Sequence, residues 1–312
     1  MKELHIDMPM LQKKLVGKIY ESWEEMTWQT ITHVLRVLNA PMPQWSEEET
    51  MHWQNLQILK AMNGWTDKDL TDWRWATILS NQDVDMLTAQ QIWLKDLDTI
   101  LSQSLQFAFQ TITENTENKR ILSQTLYKNP LPAIKVKDKS GTFQKWFSAY
   151  SDDDNPFRDC TLYELGRIFT LYEQFRESGE ETHFSELLAV LYRPEKPRKE
   201  RQNDDSDDNR QPLESSIKKM RVRMAMVRDQ IHPSVKKTIE LHLTSAMSRF
   251  AELYPSVFSK KTGATQKGDF LDFVLELSDY DPQKSDDLFK RSAHDMFELA
   301  ERLIKKAKSD DL

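Results

Sequence analysis

Most of the chain alternates between apolar stripes at helical spacing and short polar turns. The first stripe follows Thr27, a residue type that caps helix N-termini. Its apolar positions are Trp28, Ile31, Leu35 and Leu38. Ser46 and Glu49 have the spacing of a capping box, in which each side chain bonds to the backbone N–H of the other residue. These patterns predict helices through a first segment, residues 1–125.

Other residues of this segment mark the starts and ends of helices. Pro41 and Pro43 should end the first helix, because a residue before proline is disfavoured in the helical conformation. Gly64 resembles a C-terminal stop, since glycine adopts the left-handed conformation found there. Thr66 with Asp69 predicts another helix start. The pattern also predicts a longer helix over residues 89–112.

The middle segment, residues 126–193, opens with a different period. Ile134 and Val136 alternate with lysines, residues 139–141 (Lys-Ser-Gly) are a turn signal, and Phe143 begins a return strand. This alternation predicts a small β-hairpin.

Two predicted helices follow the hairpin, one capped by Thr161 and one over residues 184–191. Residues 194–212 then contain no apolar residue apart from prolines and change from basic to acidic. Such a segment can bury very little, so we expect a flexible charged linker. The last segment, residues 213–312, is again helical. Its expected boundaries are at Pro233, Pro255 and Pro282.

The patterns together predict a mainly α fold, built of multi-helix modules with one small β-hairpin in the middle segment. The four expected parts are 1–125, a tryptophan-rich helical domain; 126–193, a hairpin plus helices; 194–212, the linker; and 213–312, a C-terminal helical domain.

Composition narrows the range of functions. The net charge is −7, so no overall field favours nucleic acid or an anionic membrane. A single cysteine excludes an internal disulfide and fits a reducing compartment. The N-terminus lacks the apolar core of a signal peptide, and no apolar run is long enough to span a bilayer. We therefore expect a cytoplasmic protein.

Candidate catalytic chemistry is sparse. Only 7 residues are glycine, and the spaced glycines Gly263 and Gly268 lack the Lys-Ser/Thr pair of a phosphate loop. The histidines form no metal-binding pair, and Asp152 to Asp154 lack the rest of a calcium loop. Cys160 has no local nucleophile signature and is better explained as a small buried residue. We expect no catalytic, cofactor-binding or metal-binding residues and no enzyme activity, although dispersed catalytic carboxylates and histidines remain an alternative.

Tryptophan is concentrated in one part of the chain. Eight of the nine tryptophans lie between Trp23 and Trp93. Tryptophan both packs helical cores and dominates protein–protein hot spots. Trp65, Trp73 and Trp75 flank a short, polar, poorly periodic segment, so we expect at least one of them to lie outside the local core and to contact a partner.

Several short motifs resemble those of a family of tail assembly chaperones and related morphogenesis proteins of tailed phages and prophages. They are Ser22–Thr27 (SWEEMT), Ile58–Gly64 (ILKAMNG), Thr161–Leu165 (TLYEL), Leu187–Pro194 (LLAVLYRP) and Phe273–Ser278 (FVLELS). Met26 stands where the first motif of the family has leucine.

The resemblance implies a non-enzymatic chaperone in the host cytoplasm that binds the tape-measure protein or another tail protein. From the charge, the hydropathy and the missing ligand motifs, we expect no nucleic acid, membrane or cofactor to be involved. The alternative is a structural subunit of the virion, such as a baseplate or neck protein, which would need large self-complementary interfaces. The sequence leaves the oligomeric state open.

Overall fold

The computed structural model describes residues 2–40, 46–114, 117–138, 140–197, 200, 208, 210–213, 217–258 and 281–310. The fold is mainly helical, as the sequence predicts. The chain forms two compact units. The first comprises Met1–Leu126 with Ser234–Leu241, and the second comprises Tyr127–Pro233 with His242–Leu312.

The first unit surrounds a core of aliphatic and tryptophan side chains from its helices and one hairpin. Its strands are β1 (Lys2–Met8), β2 (Lys13–Ile19), β3 (Phe109–Glu114) and β4 (Glu117–Leu122). Its helices are α1 (Trp28–Leu38), α2 (Glu47–Asn63), α3 (Asp67–Ser80) and α4 (Met86–Leu105). Fully buried side chains include Trp23, Ile31, Leu59 and Leu97.

The helix starts predicted at Thr27, Ser46 and Thr66 and the helix end predicted at Gly64 are confirmed. Thr27 accepts a hydrogen bond from the N–H of Thr30, and Ser46 forms the capping box with Glu49. Thr66 caps the next helix in the same way. Gly64 ends α2 with a φ of 67°, in the left-handed region. The expected stop at Pro41 and Pro43 lies outside the described residues.

Two hairpins in the first unit were not predicted. The first pairs β1 with β2, and Leu4, Ile6 and Met8 alternate with more exposed neighbours. The second pairs β3 with β4. The helix predicted over residues 89–112 therefore ends at Leu105. Thr111, Ile112 and Thr113 are β-branched and favour the extended conformation that follows.

The second unit contains the hairpin that the sequence predicted, extended by a third strand. Its strands are β5 (Ala133–Lys137), β6 (Phe143–Ser148) and β7 (Tyr192–Pro194), antiparallel in the order β5–β6–β7. The helices of this part of the chain are α5 (Leu162–Ser178), α6 (Glu181–Leu191), α7 (Ile217–Gln230), α8 (Pro233–Leu253), α9 (Pro255–Phe258), α10 (Pro282–Phe289) and α11 (Ala293–Asp310). Residues 234–241 of α8 belong to the first unit.

One side chain continues the hydrogen-bond ladder of this sheet. The Gln230 amide accepts from the N–H of Lys137 at 2.6 Å and donates to the carbonyl of Lys137 at 2.8 Å. At the opposite edge of the sheet, the N–H of Gln211 donates to the carbonyl of Pro194 in β7 at 2.8 Å.

The ends of the predicted linker 194–212 are attached to the second unit. Glu195 and Arg210 form a β-bridge, and the Arg210 side chain is buried. The expectation that this segment buries very little is thus wrong at Arg210. Residues 201–207 lie outside the described part, so the flexibility of the linker and the fourfold domain division stay predictions.

Candidate functional site

Trp65 is a structural residue of the first unit. It directly follows Gly64, which ends α2, and only 6% of its surface is exposed. Its indole N–H donates to the carbonyl of Val16 in β2 at 2.8 Å. The ring therefore joins the end of α2 to the first hairpin and is not available to a partner.

Trp73 lies in the same aromatic group. It is 4% exposed, and its ring meets those of Trp65 and Trp93 edge to face, with centroids 6.4 Å and 5.9 Å away. Such edge-to-face pairs stabilise a core beyond the apolar area that they bury. Of the three candidate residues, Trp65 and Trp73 are thus part of the core.

Trp75 lies outside the core, as expected of at least one of the three. It is 47% exposed, although it is only two residues from Trp73. Two residues span about 200° around a helix, so one ring of α3 points inward and the other outward.

Other large apolar side chains of the α3–α4 hairpin are also exposed: Val84, Met86 and Leu87. We call these three and Trp75 the hairpin apolar set. No sequence pattern singled out Val84, Met86 or Leu87 in advance. The sequence feature that could have indicated them is their position just before the buried residues of α4, which are Ala89, Trp93 and Leu97.

The second unit contains an ion cluster that sequence reasoning missed. Its members are the buried residues Glu164, Arg193 and Arg210 and the partly buried Asp208. Glu164 occupies the third position of α5, where it completes a capping box with Thr161. Its two oxygens bind the Arg193 guanidinium at 2.7 Å and 3.2 Å.

Arg210 completes this cluster from the far end of the predicted linker. Its Nε lies 2.8 Å from Asp208, and its Nη2 donates to the Asp159 carbonyl at 2.8 Å and lies 3.4 Å from Glu164. Two guanidiniums thus balance two carboxylates. The cluster links α5, β7 and the far end of the predicted linker within the second unit.

Cys160 adjoins the ion cluster and is also buried. Burial raises the pKa of its thiol to about 12, with a smaller opposing contribution from Arg210. At neutral pH the sulfur is therefore protonated and is a poor nucleophile. This agrees with the sequence-based interpretation of Cys160 as a small buried residue.

Metal-binding geometry is not found in the described part of the chain, where no group of three or more His, Cys, Asp or Glu side chains could hold an ion. In the acidic loop, Asp152 accepts hydrogen bonds from the N–H groups of Asp154 and Asn155, which makes a local turn. Gly263 and Gly268 lie outside the described residues.

The second unit also contains a groove of about 590 Å³. We call it the α7 groove, because Lys218, Lys219, Val222, Arg223 and Met226 of α7 line one side. The other side consists of Gln144 and Trp146 of β6, Pro194 of β7, Gln211, and Asp138 and Ser140 of the β5–β6 turn.

Comparisons with known proteins add no assignment: no family model, curated protein or solved structure matches the chain. Among the described helices, none combines the length and apolar character needed to cross a membrane.

Proposed function

We propose that the chain is a non-enzymatic phage tail assembly factor, a chaperone-like protein that binds a tail component such as the tape-measure protein. The resemblance of its short motifs to tail assembly chaperones supports the tail context. The observation that carries a protein-binding role is the exposure of Trp75 on α3.

The hairpin apolar set has the chemistry of a protein contact. A tryptophan contributes a large contact area at little cost in conformational entropy and is enriched at hot spots. Trp75 is accompanied on the same hairpin by Leu87, which is also exposed. An assembly chaperone must bind a client that is helical, apolar on one face and prone to aggregate alone. We propose that such an amphipathic helix lays its apolar face against this hairpin.

The test is co-purification of the tape-measure protein of the same phage or prophage with Trp75→Ala and Leu87→Ala variants. Loss of an anchor residue typically costs about 2 kcal/mol or more, roughly thirtyfold in affinity. The matched control is Trp28→Ala, because Trp28 is 39% exposed in the same unit but lies on α1.

Each outcome of this experiment is informative. Weakened binding by Trp75→Ala and Leu87→Ala, with Trp28→Ala unchanged, supports the proposal. Normal binding by both hairpin variants would remove the hairpin as the client-binding surface. Recovery of the protein from purified particles would favour the alternative, a structural virion subunit.

A further inference from the structure

The outer edge of β2 in the first hairpin is bound by polar groups of the same unit. The N–H of Lys18 donates to the side-chain oxygen of Asn63, and the carbonyl of Val16 accepts from the Trp65 indole N–H. In an antiparallel ladder, alternate residues direct their backbone groups to opposite sides of the strand. The backbone groups of Val16 and Lys18 therefore point away from β1.

The same ladder determines which backbone groups of β1 point outward. His5 is opposite Val16, and Glu3 is opposite Lys18. Because these pairs do not exchange hydrogen bonds across the hairpin, the N–H and C=O groups of Glu3 and His5 point to the free side of β1. In the part of the chain that the structure describes, no group bonds to the backbone of either residue, and both residues are exposed.

The free side of β1 has the form of an edge that can accept another strand. Its seven residues, Lys2–Met8, pair with β2 without a bulge and contain no proline. Bulges, prolines and very short strands are common means by which proteins keep other chains away from an edge. The charged side chains of β1 include both Lys2 and Asp7, so they do not present a single sign to an approaching strand.

A second copy of β1 complements this edge. Two copies related by a twofold axis perpendicular to the sheet run antiparallel and keep the same residues on the same face. With Leu4 on the axis, Glu3 of each copy lies opposite His5 of the other, and each of these pairs exchanges both N–H···O bonds. The two Leu4 side chains, which are half-buried in each chain, then lie next to each other.

Charge favours this register over its neighbour. With His5 on the axis, Glu3 of each copy would lie opposite Asp7 of the other, and like charges directly opposite each other destabilise a sheet. With Leu4 on the axis, a carboxylate lies opposite an imidazole instead. These two groups already contact each other within one chain, where His5 Nε2 lies 3.2 Å from a Glu3 carboxylate oxygen.

We propose that β1 pairs with β1 of a second copy of this chain, in the register that places Leu4 on the twofold axis. The two hairpins then form one four-stranded antiparallel sheet. The interface is small, so the dimer should form in the micromolar range or above and depend on protein concentration. The proposal does not depend on the hairpin apolar set or on the tail context.

The first test is sedimentation velocity of the full chain over a series of concentrations from low micromolar to near millimolar. The weight-average sedimentation coefficient should rise from the value of a monomer towards that of a dimer and go no further, because a twofold interface closes on itself. A monomer at every concentration would overturn the proposal, and so would continued growth beyond a dimer.

The register is tested by disulfide cross-linking of a Leu4→Cys variant under mild oxidation. Non-hydrogen-bonded antiparallel pairs have Cα atoms about 4.5 Å apart, which a disulfide can span. The matched control is Ile6→Cys, on the same face of the same strand, because the two Ile6 positions would be about 13 Å apart. The natural Cys160 is buried in both variants. Leu4→Cys should give a covalent dimer and Ile6→Cys should not, whereas equal yields would show random collision and overturn the proposal.

The edge itself is tested by His5→Pro, which removes an N–H that β2 does not use. The dimer loses one such donor from each copy, so its dissociation constant should rise about tenfold or more. The matched control is Lys14→Pro, since Lys14 is opposite Asp7 and its N–H also points outward, but from β2. Circular dichroism should show that both variants remain folded. Equal weakening of the dimer by the two prolines would place the contact elsewhere and overturn the proposal; if either proline unfolds the chain, the cysteine pair alone decides.

Discussion

Gly17 lies directly against the indole ring of Trp65, so closely that a Cβ atom on Gly17 would be 2.6 Å from Cζ2 of the ring. Real Cβ atoms do not approach other atoms this closely, so the ring occupies the space that a side chain would need. The bare backbone of β2 is therefore what allows Trp65 to reach the carbonyl of Val16.

Replacing Gly17 with alanine should destabilise the chain by about 1–3 kcal/mol, the usual cost of inserting a methyl group into a packed site. Urea unfolding measures the loss. In a Trp65→Leu background the same substitution should cost less, because the clashing ring has been removed. Equal losses of stability in the two backgrounds would show that the Trp65 ring is not what excludes a side chain at residue 17.

Alanine substitutions of the three candidate tryptophans should lower the stability of the protein by different amounts. Trp65→Ala and Trp73→Ala should each cost about 3–5 kcal/mol, since they remove buried aromatic rings. Trp75→Ala should cost about 1 kcal/mol or less, since the ring is half exposed. Chemical denaturation of the three variants provides the comparison. Early unfolding of all three would place Trp75 in the core and remove it as a partner contact.

Removing the carboxylate of Glu164 should lower the free energy of unfolding. Glu164→Ala leaves Arg193 and Arg210 buried with Asp208 as the remaining carboxylate of the cluster. Breaking a buried ion pair from one side typically costs about 3–5 kcal/mol. Thermal or urea unfolding should show this loss. Glu298→Ala removes a carboxylate that pairs with Arg302 at the surface, and this control should lose about 0.5 kcal/mol or less.

Stability should fall as the pH drops below the ordinary histidine pKa of 6.5. Burial lowers the pKa of His294, and the Pro156 carbonyl and Asp295 oppose this only in part. The unfolded chain therefore takes up a proton at a higher pH than the folded chain, so folding weakens from about pH 6.5 downward.

The hydrogen bonds of His294 agree with a neutral ring. Its Nε2 lies 2.8 Å from the Pro156 carbonyl, which can only accept, so Nδ1 is left to accept from the Tyr254 hydroxyl at 2.7 Å. The measurement is the thermal midpoint at about pH 7 and about pH 5. His294→Gln should show a smaller drop than the natural chain. His33, whose pKa burial also lowers, contributes with the same sign in the first unit and is retained in both proteins.

Limited trypsin digestion should cut first after Arg198, Lys199 or Arg201, three of the five basic residues of the predicted linker. Arg210 should resist, because its side chain is buried in the ion cluster. Mass spectrometry of the first fragments identifies the sites. First cuts between Leu165 and Leu191 would contradict the predicted linker.

Features formed by neighbouring residues could be predicted from the sequence, and contacts between residues far apart in the chain could not. Ser46 with Glu49 and Thr66 with Asp69 marked helix starts correctly, because a capping box is complete within four residues. The burial of Arg210 depends on Glu164, which is 46 positions away in the chain. No pattern around Arg210 could reveal that partner.

The same limit accounts for the mixed outcome for the tryptophans. Trp73 and Trp75 lie in a segment with weak helical periodicity, so their identity as tryptophans did not show which one pointed inward. The alternation of Leu4 with Ile6 is short, and it becomes a strand through pairing with β2. Its strand character is therefore a consequence of the hairpin rather than of local propensity alone.

The amide of Gln230 has a consequence for the outer strand of the three-stranded sheet. By pairing with both backbone groups of Lys137, it occupies a site on the outer strand where another chain could otherwise add a strand. Gln211 makes a similar backbone contact at Pro194 on the opposite border of the sheet. On each border of the three-stranded sheet, one position where a further strand could pair is thus taken by the protein's own groups, a side chain on one border and a short chain segment on the other.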